Sequence, residues 1–353
     1  MAAGNLTATD LNGQPLVAPS PHLSSAAAET RWMMFDVLIA LAPALAVSLY
    51  VFQYYVLLQG AICVAACVVA EAVFMRMRGR PLTIGDGSAA VTGLILALSL
   101  PALAPPHVAI IGSVIAIGLG KFAFGGLGQN IFNPAMVGRA FVMLSFAAAL
   151  GSGTYAPPDA AERNLPDAIT GATPLTAAKE HIKAVVAGDE SWDASRKAVS
   201  TDAPTQALLL GTVNGSLGET SGLAILIGGI FLCVRRSAAW RIPAAVILGA
   251  VAVGQLLHWA GLTVLSGHEH LLSGALMFGA FFIATDPVSS PVTPRGQILF
   301  GLGVGVFTVL IRTLSSYPEG VMFAVLLMNA ATPLINRWTI PTPVGGPAWK
   351  PET

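Results

Sequence analysis

Val56-Leu57-Leu58-Gln59-Gly60-Ala61-Ile62-Cys63-Val64-Ala65-Ala66-Cys67-Val68-Val69-Ala70-Glu71-Ala72-Val73-Phe74-Met75 carries one charge in twenty residues. A helix needs about 20 mostly apolar residues to cross a bilayer, so this stretch is a candidate span. It runs directly into Arg76, Arg78 and Arg80, a cationic edge of the kind that stays cytoplasmic. Reading outward from it gives ten candidate spans: 33–52, 56–75, 88–104, 107–124, 134–151, 221–235, 242–261, 270–285, 297–314 and 319–337. The third, sixth and eighth are short and contain Gly or Ser. Such interrupted spans in corresponding halves point to a binding site at a repeat interface.

Composition agrees. Of 353 residues, 54% are hydrophobic and 10% charged, against about 25% charged in a soluble domain. That excludes a cytosolic enzyme, a disordered regulator and a nucleic-acid binder, which needs a basic face. Continuous apolar runs without alternation exclude a β-barrel. The expected fold is an all-α polytopic membrane protein of about ten transmembrane helices. Three cysteines, Cys63, Cys67 and Cys233, are too few for a four-thiolate iron–sulfur site. Cys63 and Cys67 read as small apolar core residues on one helix face. No apolar run precedes Trp32, so the run from Met33 is expected to act as an uncleaved signal-anchor.

The charges balance at 18 cations and 18 anions, but their positions do not. With the N-terminus in the cytoplasm, Arg31, Arg76, Arg78, Arg80, Lys121, Arg235, Arg236, Arg241, Arg295, Arg337 and Lys350 all fall inside. Arg139, within span five, and Arg312 are the exceptions. Residues 152–220 hold nine acidic and five basic residues and are then extracytoplasmic. The expected organisation is a cytoplasmic tail (1–32), five spans (33–151), this loop (152–220), five spans (221–337) and a cytoplasmic tail (338–353). Five spans per half implies two inverted five-helix repeats. Within the loop, residues 174–186 place Leu175, Ala178, Ile182 and Val185/Val186 on one helical face.

Asp167-Ala168-Ile169-Thr170-Gly171-Ala172-Thr173-Pro174 opens that helix. Pro174 suits a first helical turn, and Thr173 reads as its N-cap. A helix N-terminus also favours a phosphate. Gly125, Gly126 and Gly128 permit either a tight turn at the membrane edge or exposed backbone beside Asn130 and Asn133. Those two amides offer donors and acceptors to a flat heteroaromatic ring. Glu71, about one turn from Arg76, is either a snorkelling or ion-paired carboxylate or a coupling-ion ligand. Asp86 precedes Gly87-Ser88 and suits a helix cap. Asp286 joins Thr285, Ser289 and Ser290 as an oxygen-rich set for a cation or a flavin, or as a turn. His268 and His270 with Glu269 read as a solvated loop, and no metal set is expected.

The run from Asp167 to Thr173 resembles the Asp-x-x-Ser/Thr-Gly-Ala-Thr/Ser sequence at which a flavin transferase esterifies FMN to a threonine. The family is that of RnfD, from the Rnf electron-transport complex, and NqrB, from the sodium-pumping NADH:quinone reductase. The resemblance extends through Asp86–Leu94, Lys121–Gly138, Gly218-Glu219-Thr220-Ser221, Ala284–Pro291 and Tyr317–Ala330. It implies covalent FMN on Thr173, with Asp167, Thr170, Gly171 and Ala172 as the recognition sequence. It also implies a riboflavin in the membrane domain, which Asn130 and Asn133 suit chemically. Glu71, Asp86 and Asp286 become ion-coupling candidates. Implied partners are other Rnf membrane and iron–sulfur subunits and the flavin transferase. The implied role is electron transfer in the bacterial inner membrane, coupling ferredoxin:NAD electron transfer to sodium or proton movement. An NqrB-like subunit with quinone as acceptor shares the motifs. A secondary transporter with inverted repeats would explain Glu71 and the short spans, but not the Thr-Gly-Ala-Thr run.

Overall fold

The computed structural model describes residues 26–80, 82, 84–150, 174–188, 191, 192, 194, 195, 205–210, 215–315, 317 and 319–341. The described residues form helices and connecting turns, without a strand. In chain order the helices are α1 (Ala26–Phe52), α2 (Tyr54–Met77), α3 (Ser88–Ser99), α4 (Pro106–Phe122), α5 (Pro134–Ser145), α6 (Pro174–Ala187) and α7 (Thr205–Leu210). Then come α8 (Gly222–Val234), α9 (Arg241–Trp259), α10 (Gly267–Leu272), α11 (Leu276–Phe278, continued by π-type turns over Gly279–Ile283), α12 (Pro294–Leu314) and α13 (Val321–Thr339).

Five helices (α1, α2, α9, α12 and α13) are long and apolar enough to cross a membrane, and α3, α4, α5 and α8 are shorter apolar helices. The eighth expected span, 270–285, is not one helix: it breaks at Ser273-Gly274 between α10 and α11. Span 88–104 also ends early, at Ser99, and the chain turns through Pro101 and Ala102. Span 134–151 stops at Ser145 before a short 3₁₀ turn, Ala147–Leu150. Non-helical backbone next to a bilayer survives only when protein surrounds it. Residues 215–221, which connect into α8, meet that condition. They are buried throughout, and Leu217 and Gly218 donate backbone hydrogen bonds to Leu100 and Leu98 at 3.2 and 2.6 Å.

Helix pairs approach through small residues, as expected where lipid removes the hydrophobic drive between helices. A Cβ on Gly93 of α3 would lie 2.7 Å from Val64 Cα of α2. One on Gly301 of α12 would lie 2.6 Å from the Ile242 carbonyl of α9. The two groups of helices pack alike. α2 lies on α4 and α9 on α12; α4 lies on α5 and α12 on α13. Across the groups, α1 meets α8 and α5 meets α13.

The bundle has two distinct ends. One, the basic end, carries Arg76, Arg78, Arg80, Arg235, Arg236, Arg241, Arg295 and Arg337. There Arg235 of α8 pairs with Asp36 of α1 at 3.2 Å. At the other, Lys179 of α6 donates to the carbonyls of Ser315 and Tyr317 at 2.5 and 2.6 Å. Exposed aromatics mark both edges: Trp32, Trp240 and Trp338 at the basic end, and Tyr50, Tyr54 and Trp259 at the α6 end. Aromatic belts of this kind sit at membrane–water interfaces.

α6 covers the expected 174–186. Its apolar face seats Leu175 and Ala178 against Val264 and Leu265, with Ile182 beside them. His270 does not lie in a solvated loop. It is buried on α10, and its ring meets Thr263 Oγ1 at 3.3 Å. α10 is started by a capping box in which Ser266 and Glu269 exchange hydrogen bonds.

Candidate functional site

Two cavities lie side by side at the basic end. The larger, about 1080 Å³, opens between Arg31, Trp32, Arg80, Glu71, Asp86 and Gln129. The smaller, about 90 Å³, lies deeper, among Ser88, Lys121, Asn130, Asn133, Thr285 and Asp286. Polar side chains form the wall between them. Lys121 Nζ donates to Glu71 Oε1 at 2.5 Å and to Ser88 Oγ at 2.6 Å; Ser88 Oγ donates to Asp86 Oδ1 at 2.7 Å. Glu71 and Lys121 are 1% and 2% exposed. Glu71 is therefore ion-paired, but with Lys121, fifty residues on, and not with Arg76. A buried pair of this kind holds because each charge offsets the other's desolvation penalty.

Asp86 accepts from the Ser88 backbone amide at 2.8 Å, in the turn that leads through the N-cap Gly87 into α3. Asp286 accepts from Val288 N at 3.2 Å and Ser289 Oγ at 2.9 Å, a turn in which the side chain closes on its own loop. The structure thus brings Glu71 and Asp86 into one hydrogen-bonded chain, with Asp286 on the adjoining cavity.

The loop before α5 is a tight turn. Gly125, Gly126 and Gly128 have φ of +126°, +112° and +84°, a region that only glycine enters without strain. Arg80 Nη1 closes the turn on the Gly125 carbonyl at 2.8 Å. Asn130 and Asn133 are both buried. Asn133 caps α5 by accepting from Met136 N at 3.2 Å, and its backbone N–H donates to Asn329 Oδ1 of α13 at 3.2 Å. Asn130 Nδ2 donates to the Phe132 carbonyl at 3.1 Å. Both amides are thus partly used within the protein, and both line the smaller cavity.

Thr173, Asp167, Thr170, Gly171 and Ala172 lie outside the described residues. α6 begins at Pro174, the residue after Thr173.

A second polar cluster sits at the α6 end, and sequence reasoning missed its chemistry. Arg139 Nη2 of α5 pairs with Glu319 Oε2, in the turn before α13, at 2.6 Å. Arg312 of α12 donates to the carbonyls of His270 and Ser273 at 2.6 and 2.9 Å. Glu219, in the buried 215–221 segment, lies near enough to Glu319 for the two charges to act on each other. The available signal was that Arg139 and Arg312 were the two cations that broke the orientation rule. Each needed a buried counter-group.

This is a polytopic helical membrane protein with broken helices and charged clusters buried at both ends. The chain belongs to the NQR2, RnfD, RnfE family, whose model matches residues 16–345. It is 43% identical over 323 residues to the D-subunit of the Na(+)-translocating ferredoxin:NAD(+) oxidoreductase complex of Acetobacterium woodii, covering 92% of this chain and 93% of that one. It is 40% identical over 338 residues to the D-subunit of the proton-translocating ferredoxin:NAD(+) oxidoreductase complex of Clostridium ljungdahlii, covering 93% and 96%. It is 38% identical over 357 residues to the D-subunit of the ion-translocating oxidoreductase complex of Haemophilus influenzae, covering 93% and 97%.

Proposed function

We propose that this chain is the membrane electron-transfer subunit of an Rnf-type complex, an ion-translocating ferredoxin:NAD oxidoreductase. The observation that carries this is the near full-length similarity to three D-subunits of ion-translocating oxidoreductase complexes, where ferredoxin and NAD stand in two of the names. Those names also divide on the ion: the relatives at 43% and 40% identity are named for sodium and for protons. Overall similarity therefore does not select the ion. An NqrB-like role with quinone as acceptor stays within the matched family, and co-purifying subunits separate the two. A secondary transporter would leave this kinship unexplained.

The basic end faces the cytoplasm in this reading, and α6 lies on the outer face of a bacterial inner membrane. The like packing of α1–α5 and α8–α13 supports two inverted five-span repeats, with α11 as the short third member of the second.

Thr173 carries FMN as a phosphoester in this reading, formed by a flavin transferase. The start of α6 fits a phosphate, since the first N–H groups of a helix lack intrahelical partners and its dipole favours negative charge. Riboflavin belongs at the smaller basic-end cavity, where Asn130, Asn133, Ser88 and Thr285 offer both donors and acceptors. At about 90 Å³ the cavity is smaller than a three-ring flavin, so its lining must open to admit one. Bound flavins supply one- and two-electron redox chemistry. The chain's part is to hold them at opposite ends of the bundle and to set the polarity around them.

The test is denaturing electrophoresis of the full chain made with its flavin transferase. In-gel flavin fluorescence is expected and is lost in Thr173→Ala. A chain without fluorescence removes the covalent FMN; fluorescence that survives in Thr173→Ala moves the anchor elsewhere.

A further inference from the structure

The α6 end holds more buried polarity than its hydrogen bonds satisfy. Glu219 is 6% exposed, and its Oε1 has no partner among the described residues. Ser273 Oγ and Arg312 Nε, also buried there, have none either. Unsatisfied atoms at this density are rare in folded proteins and call for an occupant, such as a proton, a water or an ion.

The unpartnered Glu219 carboxyl, with Glu319 near it, selects among these. Both acids lie in segments that connect helices, outside the spanning helices themselves. Two ionised carboxylates side by side in a buried site repel each other, and Glu219 Oε1 has no donor to offset its burial, so one of the two acids carries a proton. The charges around them decide which. Arg139 is bound to Glu319 at 2.6 Å, so Glu319 is the ionised member. Burial, and then the Glu319 charge beside it, push Glu219 well above the usual carboxylate range. Burial would also raise Glu319, but Arg139 and its other partners outweigh it and hold that group below its ordinary value.

Among the described residues at this end, Arg312, Lys179 and His270 turn hydrogen-bonding atoms to other groups. Arg312 turns its Nη atoms to carbonyls. Lys179 of α6 binds the carbonyls of Ser315 and Tyr317. The His270 ring is turned to Thr263. Two guanidinium groups so close disfavour a metal cation and leave a proton as the ligand. The site is also covered from its own end. A Cβ on Gly274 would stand 2.6 Å from Leu175 Cδ1 of α6, 3.0 Å from Arg312 Nη2 and 3.3 Å from Glu319 Oε1. The first turn of α6 therefore roofs the cluster.

We propose that Glu219 and Glu319 form a proton-binding site that holds one proton and exchanges it with water at the α6 end. The proton bonds to a carboxylate oxygen of Glu219 on uptake and returns to water on release, and no electrons move. The site needs no bound flavin, so its failure is separable from failure of the flavin reading.

Infrared titration of the full-length protein in detergent tests it, read at the carbonyl stretch of protonated carboxyl groups. A protonated-carboxyl band is expected at neutral pH, persisting above the ordinary glutamate range. Glu219→Gln removes it, while Glu269→Gln, in the α10 capping box, leaves it in place. Glu319→Gln keeps the band but moves its titration down by at least about one pH unit, because the neighbouring negative charge is gone. This second variant decides the matter if the first does not fold. No protonated carboxyl at neutral pH in the wild type overturns the proposal. So does a band unmoved by both variants, or one that sodium chloride removes at fixed pH, which would show a cation displacing the proton.

Discussion

The two ends of the bundle solve the same problem differently. At each, the far end of a fourth-position helix buries a cation: Lys121 on α4 and Arg312 on α12, 2% and 3% exposed. At each, that cation reaches the start of the third-position segment, Ser88 at one end and Ser273 at the other. At the basic end the cation meets a carboxylate directly, and Glu71 and Lys121 cancel. At the α6 end the cation donates to carbonyls, and the two carboxyls, Glu219 and Glu319, lie near each other. A closed ion pair fixes both charges in place. A carboxyl pair with one proton between two acids is built to gain or lose it. The same scaffold position therefore serves rigidity at one end and exchange at the other.

The sharpest way to break that comparison is to make the same kind of change at both ends. Lys121→Met leaves Glu71 buried and uncompensated, at a cost of about 3–5 kcal/mol. A large fall in thermal midpoint in detergent is expected, with much of it recovered in Lys121→Met/Glu71→Gln. If the double variant is no better than the single, the two residues do not act as a pair.

Glu71→Gln is expected to cost nearly as much as Lys121→Met, because it strands Lys121. Glu219→Gln should cost less than about 1 kcal/mol, since an amide replaces a carboxyl that is already neutral. Thermal melts of the two variants side by side give the contrast. Equal losses would mean that Glu219 is ionised in the folded protein.

A smaller effect is expected at Asn133. Asn133→Leu removes the α5 cap, worth about 1 kcal/mol, and an amide from the smaller cavity. Non-covalent flavin extracted after purification should fall while covalent FMN stays. Unchanged riboflavin content would remove Asn133 from the site and leave it a helix cap.

Much of this was legible in the sequence, and the limits are physical. Apolar length marked the five long helices and the four shorter apolar ones, and the cations set a common end for Arg80, Arg241 and Arg337. The helix at 174–186 followed from the spacing of Leu175, Ala178 and Ile182. Long-range pairing was not legible. Lys121 served only as a topological marker, since nothing local says that it reaches Glu71. Glu219 and Glu319 lie in the family segments Gly218–Ser221 and Tyr317–Ala330 but suggested no chemistry. Each precedes a helix, where an acid reads as a favourable dipole partner. Their meeting depends on the buried 215–221 segment folding back on Leu98 and Leu100. The break at Ser273-Gly274 was hidden too, because apolar residues on both sides imitate one continuous span.

The smallest expected effect concerns how α6 is fastened over the carboxyl pair. Burial, and then Lys183 nearby, lower Lys179 from 10.5 to about 8. Its folded value lies below its unfolded one, so between about pH 8 and 10.5 the unfolded chain binds more protons than the folded one. Stability should therefore rise with pH across that window and be flat for this group below it. Lys179→Met should remove the slope and cost only a few tenths of a kcal/mol, since the ammonium is half-exposed and screened. It should also speed hydrogen exchange in the first turns of α6, because the tie to the Ser315 and Tyr317 carbonyls is lost. Faster exchange in α6 without any loss of the basic-end core would show that the roof over Glu219 opens independently of the bundle. That is the freedom a proton site needs and an ion pair such as Glu71–Lys121 does not. If α6 and the bundle exchange together in the variant, the α6 end is as rigid as the basic end, and the contrast between them reduces to charge alone.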